Sequence, residues 1–253
     1  MADQPASALT TPLLYTLALD PATRLPAPHT LNAAEQARLQ SIRHPERERE
    51  YLASRLLIRQ ALCHARDHTG ATAPEFHDLP ASGAPRSDAA LQWALSHSGG
   101  HIICAVHRSR VGVDLERSDR QAPWRSLARR WFSETEQQWL HARGCTRDFL
   151  LLWTIKEAWL KANHLGIAGN LQSIELFPSA GDELQLSADT QGRAWYAATA
   201  CHHGLQTAVV WEHDGMPRTL TCQRLVGDPA TAFTDAAQPW GPAITINNGG
   251  RQS

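Results

Sequence analysis

Trp153-Thr154-Ile155-Lys156-Glu157-Ala158-Trp159-Leu160-Lys161 is a helix-forming run that sets two lysines and a carboxylate among large apolar residues. At about 100° per residue, Leu151, Ile155, Ala158 and Ala162 fall in one stripe expected to pack inward, while Glu157 and Lys161 share a flank at its border. From that border a carboxylate reaches a cleft while its helix stays fixed, and Lys161 supplies a positive charge for a phosphate one turn later. Taken alone, the two are also an ordinary i, i+4 surface pair worth about 0.2–0.5 kcal/mol. What decides between the two is the chemistry that other segments bring.

Two upstream segments bring it. In Gly112-Val113-Asp114-Leu115-Glu116, strand alternation turns Val113 and Leu115 to the core and Asp114 and Glu116 to one common face. Adjacent carboxylates repel unless a cation lies between them, and hard oxygen ligands favour Mg²⁺ over zinc. An isolated Asp-x-Glu also suits a solvated strand end, and Glu157, as a third carboxylate, weighs against that alternative. Ser96-His97-Ser98-Gly99-Gly100 follows an apolar run over 91–95 and is expected where a strand gives way to a loop. Hydroxyls, a ring N–H and glycine-permitted backbone donors suit a phosphate there. A Ser/His hydrolase ranks lower, because no G-x-S-x-G is present. Arg47, Arg49, Arg55 and Arg59 add a cationic helix face, either for more phosphate or balanced by Glu46, Glu48 and Glu50. The glycine-rich motifs of nucleotide-binding loops are absent.

The 253 residues carry 24 basic and 25 acidic side chains, so the overall field gives no reason to expect nucleic acid or an anionic membrane as partner. No apolar run approaches the roughly 20 residues of a membrane span, and the N-terminus lacks a signal-peptide pattern, which leads us to expect a cytoplasmic protein. Five scattered cysteines without a C-x-x-C spacing argue against a disulfide framework or a thiolate zinc site. Patterning predicts a strand at 13–19, a helix capped by Asn32 with Glu35, a long helix over 45–68 and a loop over 69–90. Strands follow near 91–95, 102–106 and 111–115, then a helix capped by Ser133 with Glu136 and the helix over 147–164. Five further strands are expected between 173 and 225. The fold class is α+β, in two similar halves over 1–116 and 117–226, and the segment 227–253, without periodicity, is expected to be a flexible tail.

The succession S-H-S at Ser96–Ser98, G-V-D-L-E at 112–116, F-S-x-x-E at 132–136 and W-T-I-K-E-A-W-L-K-A from Trp153 resembles the Sfp-type 4′-phosphopantetheinyl transferases over residues 47–175. The resemblance implies a pseudo-dimer of two related α+β halves in one monomeric chain, with coenzyme A in the cleft between them. It implies transfer of phosphopantetheine from coenzyme A to a serine of an apo acyl or peptidyl carrier protein, releasing adenosine 3′,5′-bisphosphate. By the same resemblance Asp114, Glu116 and Glu157 hold Mg²⁺, Glu157 accepts the serine proton and Lys161 stabilises or protonates the leaving group. Ser96, His97, Lys156, Lys161, Arg47 and Arg55 would contact coenzyme A, with Arg43 and Arg49 as alternatives near its 3′-phosphate. Ala84 stands where many members carry a lysine. The rivals are a noncatalytic coenzyme A or carrier-binding module and a metal-dependent pyrophosphate hydrolase. The basic cluster Arg125, Arg129 and Arg130 is a candidate docking patch for the carrier, or else the solvated face of an amphipathic helix.

Overall fold

The computed structural model of the chain describes residues 9–21, 23–70, 76–81, 89–120, 123–166, 171–178, 184–188, 192–213, 221–224, 234–236 and 244–248. In chain order they form β1 (Leu13–Ala18), α1 (Ala33–Gln40), α2 (Pro45–Thr69), β2 (Gln92–Ser98), β3 (His101–His107) and β4 (Val111–Arg117). Then come α3 (Trp124–Trp131), α4 (Glu134–Arg143), α5 (Thr146–Ala162), β5 (Ile174–Pro178), β6 (Leu184–Ala188), β7 (Trp195–His202) and β8 (Leu205–Glu212). Three short strands complete the set: β9 (Thr221–Arg224), β10 (Thr234–Ala236) and β11 (Ile244–Asn248).

The strands make two sheets, ordered β10-β9-β1-β3-β2 and β4-β8-β7-β11-β6-β5. Their centres repeat one plan. A first strand, β1 or β4, leads through helices into a hairpin, β2–β3 or β7–β8, whose second strand pairs antiparallel with the first. Helix α2 covers the first sheet through Tyr15, Leu57, Leu62, Trp93 and Ile102. Helix α5 covers the second through Leu150, Ile155, Trp159, Trp195 and Val210. The two remaining sheet faces meet at Leu14, Ala94 and Ile103 against Val113, Val209 and Trp211. Burial of these alternating apolar sets fixes each strand's register, since a one-residue slip would exchange core and polar faces.

The repeat extends to the helix caps. Asn32 caps α1, and Glu35 closes a capping box before taking Arg59 of α2 at 2.5 Å. Ser133 caps α4, and Glu136 closes the same box, takes Lys156 of α5 at 2.6 Å and accepts the Leu176 N–H at 3.0 Å. Both glutamates are fully buried. In each half the buried carboxylate therefore ties a short helix to the long one, and losing its cation would leave an uncompensated charge in the core.

Several expectations need correction. The cut after Glu116 divides the wrong elements, because β4 belongs to the second sheet while β9 and β10 return to the first. The segment after 227, expected as a tail without structure, contributes β10 and β11. Ser96–Ser98 continue β2 instead of opening a loop. Helix α5 is buried on most of its faces, not on one stripe, because the second sheet and helices α3 and α4 pack around it. Among the described residues, no helix is long and apolar enough to cross a membrane.

Candidate active site

Gly112 sets the distance between β4 and α5. A Cβ there would lie 1.8 Å from the Ala158 carbonyl oxygen and 2.6 Å from the Ala162 nitrogen, so only glycine lets the helix backbone lie on the strand. Two residues along the same face comes Asp114, and on the helix Glu157 and Lys161 flank Ala158. The close approach thus brings Lys161 Nζ to Asp114 Oδ1 at 2.7 Å and to the Val113 carbonyl at 3.2 Å. Glu157 is buried, and its pKa is pushed up to about 7, first by burial and then by the neighbouring Asp114 carboxylate, with Lys161 pulling down and Glu116 adding to the rise.

The carboxylate oxygens divide into committed and free. Asp114 Oδ1 is held by Lys161 and by Ser96 Oγ at 2.8 Å; Glu116 meets Arg120 at 2.5 Å and Ser98 Oγ at 3.2 Å. Asp114 Oδ2 and Glu157 Oε1 are buried with no hydrogen-bond partner among the described residues. Such oxygens are costly to leave bare, and a hard cation is the chemistry that suits them. The fit to Mg²⁺ is therefore in donor type and charge. Among the described residues no three acidic, His or Cys side chains already close around one point as a metal cage.

The S-H-S motif splits by strand alternation. Ser96 and Ser98 turn toward β4, whereas His97 turns to α2, with Nδ1 3.7 Å from Glu50 Oε2. Burial holds the His97 pKa below its usual value, against the opposing pull of Glu50. His97 and Arg47 border a cleft of about 490 Å³ that also takes in Arg38, Arg43, His44 and Tyr51. A second cleft of about 390 Å³ is lined by Lys161, His164 and Leu165, and Arg55 and Leu95 line both. A basic surface thus leads past Arg55 to Lys161 and the carboxylates.

The expected site residues fall into three groups. Asp114, Glu116, Glu157, Lys161 and Ser96 converge. His97 and Arg47 line the basic cleft, Arg47 being exposed beside Glu50 at 3.6 Å. Arg55 lies at the floor between the clefts, buried, donating to the Pro80 carbonyl at 2.9 Å and 3.8 Å from Glu35. Lys156 is a correction: it is fully buried on Glu136 and 4.5 Å from the Phe132 ring centroid, so its ammonium has no surface left for a coenzyme phosphate. Trp153 packs on Phe149 and is a core contact. Of the alternative arginines, Arg43 lines the cleft, while Arg49 is spent on the Asp20 carbonyl at 3.0 Å. The loop with Ala84 lies outside the described residues. Arg38, His44 and His164 were not anticipated. They lie at helix ends that carry no motif, and only the fold brings them to the clefts.

Residues 110–210 match the family model described as the 4′-phosphopantetheinyl transferase superfamily. Those residues include β4 and α5, which carry the carboxylate–lysine cluster, so the similarity to that superfamily falls on the site itself. The chain is 32% identical over 154 residues to the 4′-phosphopantetheinyl transferase HetI of Nostoc sp., covering 58% of this chain and 65% of HetI. It is 28% identical over 132 residues to the 4′-phosphopantetheinyl transferase Sfp of Bacillus subtilis, covering 50% of this chain and 58% of Sfp. A putative 4′-phosphopantetheinyl transferase, slr0495 of Synechocystis sp., is 28% identical over 174 residues, 60% of this chain and 68% of that protein. The matched stretch thus spans less than two thirds of HetI and of Sfp, 65% and 58% of their lengths. Both halves of the fold lie in one polypeptide.

Proposed function

We propose that this protein transfers the 4′-phosphopantetheine group of coenzyme A to a serine of an apo acyl or peptidyl carrier protein, releasing adenosine 3′,5′-bisphosphate. The observation that carries the proposal is the pair of bare, buried oxygens on Asp114 and Glu157 beside Lys161, which lines a cleft that shares Arg55 and Leu95 with the basic one. A noncatalytic binding module has no use for such a costly arrangement.

Asp114, Glu116 and Glu157 are the residues that would hold Mg²⁺, which when bound neutralises the pyrophosphate and the charge growing on the leaving phosphate. The basic cleft of Arg43, Arg47 and His97 suits the 3′-phosphate and nucleotide end of the donor. Glu157, with its raised pKa, is suited to take the proton of the carrier serine, directly or through a water molecule. The serine oxygen then bonds to the phosphorus that bears pantetheine, and the bridge from that phosphorus to the adenosine-side phosphate breaks. Lys161 is a mobile-chain cation held at the cleft by Asp114 and Ser96, placed to stabilise or protonate the departing phosphate. Both sides of the cleft come from one chain, which supports action as a monomer. The exposed arginines Arg125, Arg129 and Arg130 of α3 are the candidate docking face for an acidic carrier.

Release of adenosine 3′,5′-bisphosphate from coenzyme A, followed by chromatography with and without apo carrier, tests the proposal. Release that requires the carrier is expected; equal release without it would make the protein a pyrophosphate hydrolase.

A further inference from the structure

Ser96 and Ser98 are two apart on β2, and Asp114 and Glu116 are two apart on β4. The structure joins them in step: Ser96 Oγ donates to Asp114 Oδ1 at 2.8 Å, and Ser98 Oγ donates to Glu116 Oε2 at 3.2 Å. The strands belong to different sheets, so no backbone ladder imposes this match. It is made by side chains, across the seam between the two halves.

We infer that Ser96 and Ser98 are positioning residues, which fix the carboxylates of the metal site from the first half of the chain instead of contacting the phosphates of the donor. The inference rests on the metal reading of Asp114, Glu116 and Glu157 above. A serine hydroxyl has one proton, and each of these spends it on a carboxylate. Ser96 also accepts from Lys161 Nζ at 3.0 Å and is itself buried, which leaves it little to offer a ligand. Because Ser96 and Lys161 both take Asp114 Oδ1, it is Oδ2 that stays bare. Ser98 and Arg120 likewise each take one oxygen of Glu116 and set its rotamer. Neighbours that orient metal-binding carboxylates typically change metal affinity by about 10–100-fold when removed. His97, turned the other way, is left as the motif's one residue on the basic cleft.

The test measures two affinities that do not depend on turnover. Binding of Mn²⁺, which accepts the same oxygen ligands, is followed by loss of the free-ion electron paramagnetic resonance signal. Binding of coenzyme A is followed by calorimetry in chelator. Ser96→Ala and Ser98→Ala are expected to weaken Mn²⁺ binding about tenfold or more while leaving coenzyme A affinity in chelator within about twofold, and Ser98→Thr to restore the metal affinity. Unchanged Mn²⁺ binding in both alanine variants, or a fall in coenzyme A affinity alone, would overturn the assignment. A wild-type protein that binds no Mn²⁺, with or without coenzyme A, would overturn the metal reading itself and the assignment with it.

Discussion

Glu157→Gln should make the metal-free protein more stable at alkaline pH, although Glu157 lies at the centre of the proposed chemistry. The Glu157 pKa rises from an ordinary 4.5 to about 7 because the carboxylate is buried beside Asp114 and Glu116. Between those values the folded protein keeps a proton that the unfolded chain has lost. Stability from this group is therefore complete below pH 4.5 and is lost as pH rises through about 7. At about 1.36 kcal/mol per pKa unit, the difference comes to about 3 kcal/mol above pH 7. Glutamine keeps the shape and does not ionise. In chelator, the variant should melt alongside wild type near about pH 4 and several degrees above it near about pH 8, since about 1 kcal/mol moves Tm by roughly 2–4 °C at this size. Adding Mg²⁺ at the alkaline pH should raise the wild-type Tm and leave that of the variant almost unmoved. Thermal unfolding followed by circular dichroism checks all of this. A Gln variant no more stable than wild type at about pH 8 in chelator would show that burial and the neighbouring carboxylates do not hold the proton on Glu157 in the fold.

Other parts of the structure carry their own consequences. Gly112→Ala places a methyl 1.8 Å from the Ala158 carbonyl and must lever α5 off β4, so we expect a loss of about 1–3 kcal/mol or more in urea unfolding, with activity falling alongside. Lys156→Met should cost about 3–5 kcal/mol by stranding Glu136, and adding Glu136→Gln should recover part of it; the KM for coenzyme A of the folded protein should stay the same. Arg43→Ala combined with Arg47→Ala should raise the KM for coenzyme A about tenfold, a change of about 1.4 kcal/mol, and leave the KM for dephospho-coenzyme A nearly unchanged, as steady-state kinetics with the two donors would reveal. Burial lowers the His107 pKa to about 4, so the unfolded chain takes up a proton first as pH falls below 6.5. Stability should drop by about 3 kcal/mol between about pH 6.5 and 4, and His107→Asn should flatten that limb in urea titrations.

What the sequence disclosed depended on how local the signal was. Both capping boxes were legible, since Asn32 with Glu35 and Ser133 with Glu136 act over three residues and need no tertiary partner. The convergence of Asp114, Glu116, Glu157 and Lys161 was also within reach, because strand alternation and helix phase assign faces without coordinates. The misjudgements were long-range. On a helical wheel Lys156 lies about 140° from Lys161 and farther from the apolar stripe, and only the placement of Glu136 from another helix puts it in the core while Lys161 stays in the cleft. The boundary between halves was misplaced because β4 follows the first hairpin closely in sequence yet pairs with β8 far along the chain. Ser98 reads as loop because Gly99 and Gly100 follow it directly, although it is the last residue of β2.

The central claim is that the protein loads carrier proteins. Intact-protein mass spectrometry of a panel of apo carriers from fatty-acid, polyketide and peptide synthesis, each incubated with the enzyme, coenzyme A and Mg²⁺, tests it most directly. At least one carrier should gain a single phosphopantetheine on its acceptor serine, with the gain absent in Asp114→Ala. A panel that stays unmodified throughout, or an Asp114→Ala variant as active as wild type, would contradict it.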